Sequence, residues 1–418
     1  AFQEDTLCIM DEVNIKFNAL DLYKKIYTIQ EISLANGYIS IYYRDRFPNY
    51  EIWNTKSDTV ESESVDFGLE NIALYNIKIK YVDDGLASEF INKETLLKLN
   101  IEENNTFIYI DAQLLNKRLS LNNINHIPNE NINLNAEMSI DSFSLNVTTD
   151  LIIRDILFNL NVKQTKETLK VNVIAKEVEI VSVLDILPKD YLTSLENFDV
   201  SGKSSFNLKF VNDQQKKAAL DVDFKLKNGT VKSDDISFDL QQLSLNGNYT
   251  NGAKRTDETI QIDLNDIQFI ANNELILANA NINGLENPKI KTNISSQIKL
   301  SELEKWGYKS GLKSIDGNLT YKVSYYGNLG VKNNIDYDIA MAKKYADISI
   351  ENFSLAIDEL SPKLSNSNVK LKVVDDHLDI KSLEGTLANE SKFNFIGAIE
   401  NVFSYLFLKN SPLKIAGE

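Results

Sequence analysis

Strict two-residue alternation of apolar and polar side chains, repeated along most of the chain, is the feature that most limits how it can fold. Leu220, Val222, Phe224 and Leu226 alternate with Asp221, Asp223, Lys225 and Lys227. On a strand, successive side chains point to opposite faces, so this segment has one apolar and one charged side. The pattern recurs in Ile132-Leu134-Ala136-Met138-Ile140, Ile156-Phe158-Leu160-Val162 and Leu169-Val171-Val173. It returns in Phe206-Leu208-Phe210, Ile260-Ile262-Leu264, Val369-Leu371-Val373 and Phe393-Phe395. Turn-type pairs punctuate the runs: Asp83-Asp84-Gly85, Asn228-Gly229, Asn251-Gly252, Asn283-Gly284, Asp316-Gly317 and Glu384-Gly385. Strands of some 6–10 residues joined by short turns, roughly 35 of them, predict a mostly β chain folded as an antiparallel meander.

Four segments read as helix. Val178–Glu196 is interrupted by Pro188, and Ser301–Trp306 opens like a capping box with Glu304 three residues on. Lys93–Leu99 and Val402–Leu408 each suit a turn or two.

An internal repeat follows the first two helices. At an offset of 115 positions Val200 falls on Ile315, Gly202 on Gly317, Phe206 on Tyr321, Leu208 on Val323 and Phe210 on Tyr325. The next strand, Leu220–Leu226, falls on Ile335–Met341. This predicts one elongated, repeat-built body over 1–418: an N-terminal strand region 1–175, a repeat module 176–300, and a second module with a closing region 301–418.

Charge and composition narrow the functions. Lys plus Arg number 44 against 60 Asp plus Glu, a formal net charge of −16, so a nucleic-acid backbone is not an expected partner. The single cysteine, Cys8, forms no intramolecular disulfide, and two histidines leave little for acid–base or metal chemistry. There is no nucleophile elbow, P-loop, dinucleotide fingerprint or H-E-x-x-H motif. Asp375-Asp376-His377 lies between two strand-like runs and reads as a hairpin turn; Asp83-Asp84-Gly85 lacks the carboxylate spacing of a calcium loop. His126 falls in a loop by composition and is expected to be exposed. The sequons at Asn248 and Asn318 fall inside predicted strands. No catalytic residue, metal or cofactor is expected, and no stretch approaches the ~20 apolar residues of a spanning helix.

An apolar sheet face can be roofed by a second sheet, closed into a barrel, or left as an open groove, and periodicity does not choose among them. The segments Ile32–Asn54, Leu69–Asp84, Phe198–Phe210, Ala219–Val231 and Leu277–Trp306 resemble the AsmA-like proteins of the bacterial envelope, as found in Bacteroidota-type bacteria. Phe353–Leu406 resembles that family's closing region, where strand-turn-strand patterning precedes a short helix. Pro48-Asn49-Tyr50 departs from the Gly-x-x-Asn usual after the first strand pair.

The resemblance implies an elongated meander curved into an open apolar groove, and a periplasmic body held to the inner membrane by an N-terminal anchor outside this chain. It also implies a part in phospholipid movement between membranes or in outer-membrane assembly, with acyl lipid and envelope proteins as partners. Such a role needs no enzyme. Exposing a sixteen-carbon chain to water costs roughly 12 kcal/mol, and an apolar lane removes most of that barrier. The lane is expected on Phe206, Leu208, Phe210, Leu220, Val222, Phe224, Leu226, Ile260, Ile262, Leu264, Tyr321, Val323, Tyr337 and Ile339. The competing expectations are an adhesive or structural β-sandwich with covered cores and, behind it, a carbohydrate-binding or glycan-hydrolysing β-scaffold, for which no paired carboxylates stand out.

Overall fold

The computed structural model describes residues 6–418 except 24–26, 45–46, 50–66, 84, 103–104, 122–123, 128, 190–191, 194–195, 214–215, 234–238, 303–313, 331–334, 357–363, 388–390 and 409–411. The chain is mostly β, with few and short helices. It divides into two units: Ala1–Ser194 with Asn207–Lys217, and Leu195–Phe206 with Ala218–Glu418.

The first unit holds β1 (Cys8–Phe17), α1 (Ala19–Tyr23), β2 (Tyr27–Arg44), β3 (Phe47–Pro48), β4 (Phe67–Val82), β5 (Leu86–Ile101) and β6 (Asn105–Leu121). It continues with β7 (Ile124–Asn125), β8 (Asn131–Asp141), β9 (Ser144–Ile153), β10 (Ile156–Thr165), β11 (Thr168–Glu179) and α2 (Ile180–Ile186). The main ladder runs β1-β2-β4-β5-β6-β8-β9-β10-β11. One pairing departs from the expected antiparallel pattern: β2 and β4 run parallel from Tyr27↔Phe67 to Tyr42↔Val82. Parallel neighbours need a long connection, and β2 ends at Arg44 while β4 begins at Phe67.

β12 (Phe198–Asp213) contributes residues up to Phe206 to the second unit and the rest to the first. The second unit continues with β13 (Lys216–Ser233), β14 (Leu240–Thr250), β15 (Gln261–Ala271), β16 (Glu274–Asn283), β17 (Lys289–Lys299), β18 (Ser314–Asn328) and α3 (Ile335–Met341). It closes with β19 (Lys343–Ala356), β20 (Leu364–Val374), β21 (His377–Leu387), β22 (Lys392–Glu400), a π-helical turn Ser404–Leu408 and β23 (Lys414–Gly417). From β13 to β23 each strand pairs antiparallel with the next. The meander does not close into a barrel.

Strands are fewer and longer than expected, reaching 18 residues in β2 and β13. Several glycine pairs read as turns lie inside strands. Asn228, at φ 50°, and Gly229 sit within β13 and Asp316-Gly317 within β18, each at a register slip, while Glu384-Gly385 runs on inside β21 in regular pairing with β22. A bulge adds a residue, bends the strand and raises its twist without ending the ladder. Bulges recur on neighbouring strands: Gln242 and Asp266 adopt positive φ in β14 and β15, and Asn352 and Asn366 in β19 and β20. Adjacent bulges that agree curve a sheet.

The helical expectations divide. α2 occupies the start of Val178–Glu196 and stops at Leu187, extended before Pro188, as a proline requires. A 3-10 turn covers 300–302, and the rest of Ser301–Trp306 lies outside the described residues. Val402–Leu408 is helical, ending in the π-helical turn. Lys93–Leu99 is strand, not helix: β5 is bonded on both sides, and a bulge between Asn92 and Glu94 breaks the alternation there and imitates helical spacing. The repeat's second strand fails in the other direction, since Ile335–Met341 is helix α3. β18 pairs directly with β19, so no open edge remains for that segment, and Asp336 and Asp338 favour the first turn of a helix.

Candidate functional site: the apolar sheet faces

Cross-strand register assembles the alternating side chains into rows. In the first unit one row passes through Ile15, Ile32, Ile72, Leu97, Ile110, Ala136, Thr149, Leu160 and Val173, one residue from each of nine strands. The row of residues on the opposite face begins Lys16, Glu31, Asn71, Lys98, Tyr109 and Glu137. In the second unit Ile267, Ala278, Ile294, Val323, Ala346, Val373, Leu378, Ile399 and Ile415 form a row with no polar member. At ~4.8 Å per strand each row is about 38 Å long.

These faces are neither sealed nor bare. Ala346 and Val373 are buried at 7% and 8% exposure, and Ala136 at 3%. Ile32, Ile72, Leu97, Ile110, Ile267, Ile294, Val323, Leu378 and Ile399 are half-buried. At the sheet margins Ile15 and Ile415 are 51% and 69% exposed. A sandwich interior would bury the central rows almost completely; single-sheet neighbours shield each other only sideways.

The expected lane residues fall mostly on these faces. Val222 and Phe224 on β13 lie opposite Tyr249 and Gly247, which in turn lie opposite Ile262 and Leu264. Leu226 opposes Leu245. Tyr321 and Val323 on β18 lie opposite Ser296 and Ile294. These residues, with Leu220 on β13 and Phe206, Leu208 and Phe210 on β12, are half-buried. Three others differ. Ile260 is buried and precedes β15. Tyr337 and Ile339 sit on α3, Tyr337 exposed and Ile339 half-buried, so neither belongs to a strand face.

Two local devices shape the second unit's face. The Phe224 ring covers Gly247 of β14: a Cβ there would stand 2.1 Å from its Cζ, so any larger residue has to displace the ring. Phe395 likewise lies over Gly397 and Gly417. Tyr321 is pushed toward a higher pKa by burial, against a hydrogen bond with Ser296, which keeps its phenol neutral.

At one flank α3 meets the strands through Lys344, which is 9% exposed. Its Nζ donates to the carbonyls of Ile339 (2.8 Å), Ala340 (2.9 Å) and Ala342 (2.7 Å), supplying the C-terminal cation that α3 itself lacks. It also lies 4.7 Å from the Phe403 ring centre. Burial lowers its pKa, opposed by Asp376 and Asp375.

Asp375-Asp376-His377 is the β20–β21 hairpin, as expected, and its carboxylates have structural partners. Asp375 accepts from the Lys344 N–H at 3.0 Å, and Asp376 accepts from the N–H groups of Phe403 and Ser404 at 2.6 and 3.1 Å. His377 bonds Asp379 at 2.9 Å. His126 is half-buried rather than exposed, because its N–H bonds the Leu119 carbonyl and draws the loop onto β6. Among the described residues no group of three His, Cys, Asp or Glu is placed to hold a metal, and no helix is long and apolar enough to cross a membrane.

The polar faces carry open depressions: one of about 580 Å³ beside Leu277, Ser295, Gln297 and Lys322, and one of about 490 Å³ beside Asn279, Asn293 and Ser324. Amides, hydroxyls and lysines predominate there, without a nucleophile–base arrangement.

Sequence reasoning missed Ile294, Ala346, Leu378 and Ile399. Around Ile294, in Lys289-Ile290-Lys291-Thr292-Asn293-Ile294-Ser295-Ser296, threonine and serine at the inward positions 292 and 296 blur the alternation; beside Ala346 and Ile399 the inward Lys344 and Gly397 do so. No protein-family model matches the chain, and no match was found among curated proteins or solved structures.

Proposed function

We propose that the chain is a non-enzymatic lipid-handling protein whose apolar sheet faces bind acyl chains. The observation that supports this most directly is the pair of nine-strand rows, apolar along nearly their whole length, most of whose members are only half-buried. Leaving such surface against water is unfavourable by about 25 cal/mol per Å², so a ligand that covers it is stabilised without any further chemistry. A single sheet also admits a chain sideways, along the lane, where a closed barrel would not.

Within this reading the protein belongs to the AsmA-like envelope group that its sequence resembles. It works in the periplasm, tethered to the inner membrane by an anchor outside this chain, in phospholipid transport between membranes or outer-membrane assembly. Lipid extraction and native mass spectrometry of the purified protein test it: co-purifying phospholipid is expected. Protein that carries none and takes up none from vesicles would sink the reading and favour an adhesive β-protein.

A further inference from the structure

Among the described residues no strand covers the outer edge of β1. Among the described residues β1 pairs with β2 alone, and nine of its ten residues are exposed, including Ile9, Val13, Ile15 and Phe17. Edge strands are ordinarily blunted by proline, bulges or inward charge, since unpaired N–H and C=O groups recruit other strands. β1 has no proline, and it keeps one register with β2 from Cys8↔Ile39 to Lys16↔Glu31, interrupted at Asp11 opposite Asn36, which sits at φ 53°.

Along an edge strand every other residue turns its N–H and C=O outward, so the Glu12–Lys16 segment offers a ladder to a further strand. An antiparallel partner centred on Asn14 would oppose Glu12 with the partner's Lys16, Asn14 with the partner's Asn14, and Val13 with the partner's Ile15. Every one of these pairs is matched: opposite charges on the polar face, aliphatic against aliphatic on the apolar face. The segment Glu12-Val13-Asn14-Ile15-Lys16 is thus complementary to itself, which is what a two-fold interface demands.

We propose that β1 pairs with β1 of a second copy, joining the first-unit sheets of two copies across a two-fold axis. The apolar row ending at Ile15 would then continue into the row of the other copy instead of stopping at an exposed margin.

Sedimentation velocity over a wide concentration series tests this on delipidated protein, so its failure would say nothing about the lipid lane. A reversible monomer–dimer equilibrium is expected. Glu12→Lys and Lys16→Glu each place like charges opposite one another twice and should weaken association about tenfold; the double variant should restore it. In a Cys8→Ser background, Asn14→Cys should form a disulfide-linked dimer on mild oxidation, since directly opposed strand residues lie within bridging distance. These side chains are exposed, so folding should survive, which circular dichroism checks. A monomer at every concentration overturns the proposal and leaves the edge to a strand of another protein. A dimer indifferent to both single reversals overturns it as well.

Discussion

Phe224 and Gly247 show how much one side chain's posture depends on its neighbour. Because a Cβ at 247 would stand 2.1 Å from the ring, Gly247→Ala should cost about 1–3 kcal/mol, read from urea midpoints. In a Phe224→Leu background most of that cost should vanish; an undiminished cost would place the strain elsewhere. Val222→Asp with Phe224→Asp should abolish lipid co-purification while the protein stays folded, because half-accessible side chains tolerate polarity that a sealed interior would not. Global unfolding of that variant would mean the face is a closed core. Lys344 carries a pH prediction. Its pKa is lowered in the folded chain, so just below the ordinary lysine value the unfolded chain holds more protons. Stability should therefore rise with pH through that window, and Lys344→Met should lose this rise while giving up about 2 kcal/mol of capping of α3.

At the level of elements, alternation revealed strands well and their ends badly. Val222 and Phe224 were legible as one face because nothing interrupts β13 between Leu220 and Leu226. Asn228-Gly229 was not legible as a bulge, since the positive φ that closes a hairpin also serves a bulge, and only a paired neighbour distinguishes them. A different effect hid β5 at Lys93–Leu99, where the extra residue between Asn92 and Glu94 shifts the apolar positions to helix-like spacing. Ile335–Met341 misled for another reason: seven residues of alternation fit a strand as well as a helix, and the direct pairing of β18 with β19 decides. The 115-position repeat nevertheless matched something physical. Gly202 and Gly317 both adopt positive φ, 121° and 138°, with a neighbouring backbone pressed against each: Gly229 at 2.6 Å and Phe353 at 3.0 Å from a would-be Cβ. Gly202→Ala and Gly317→Ala should each destabilise by about 1–3 kcal/mol in chemical denaturation, and a neutral result at either would mean that its strand has room to relax.

For the whole molecule, the apolar rows were half-visible beforehand. The inward residues of β13 and β18 could be named, but which strand neighbours which, and therefore the parallel entry of β4 beside β2, depends on pairings between segments far apart in sequence. Among the described residues, each pairing from β13 to β23 joins strands consecutive in the chain. Such connectivity makes stability a sum of nearest-neighbour terms, as in repeat proteins. Loss of structure should then begin at the margins and travel inward like a zip fastener, so hydrogen exchange should grade from fast at β23 to slow at β16–β18 instead of reporting one shared opening.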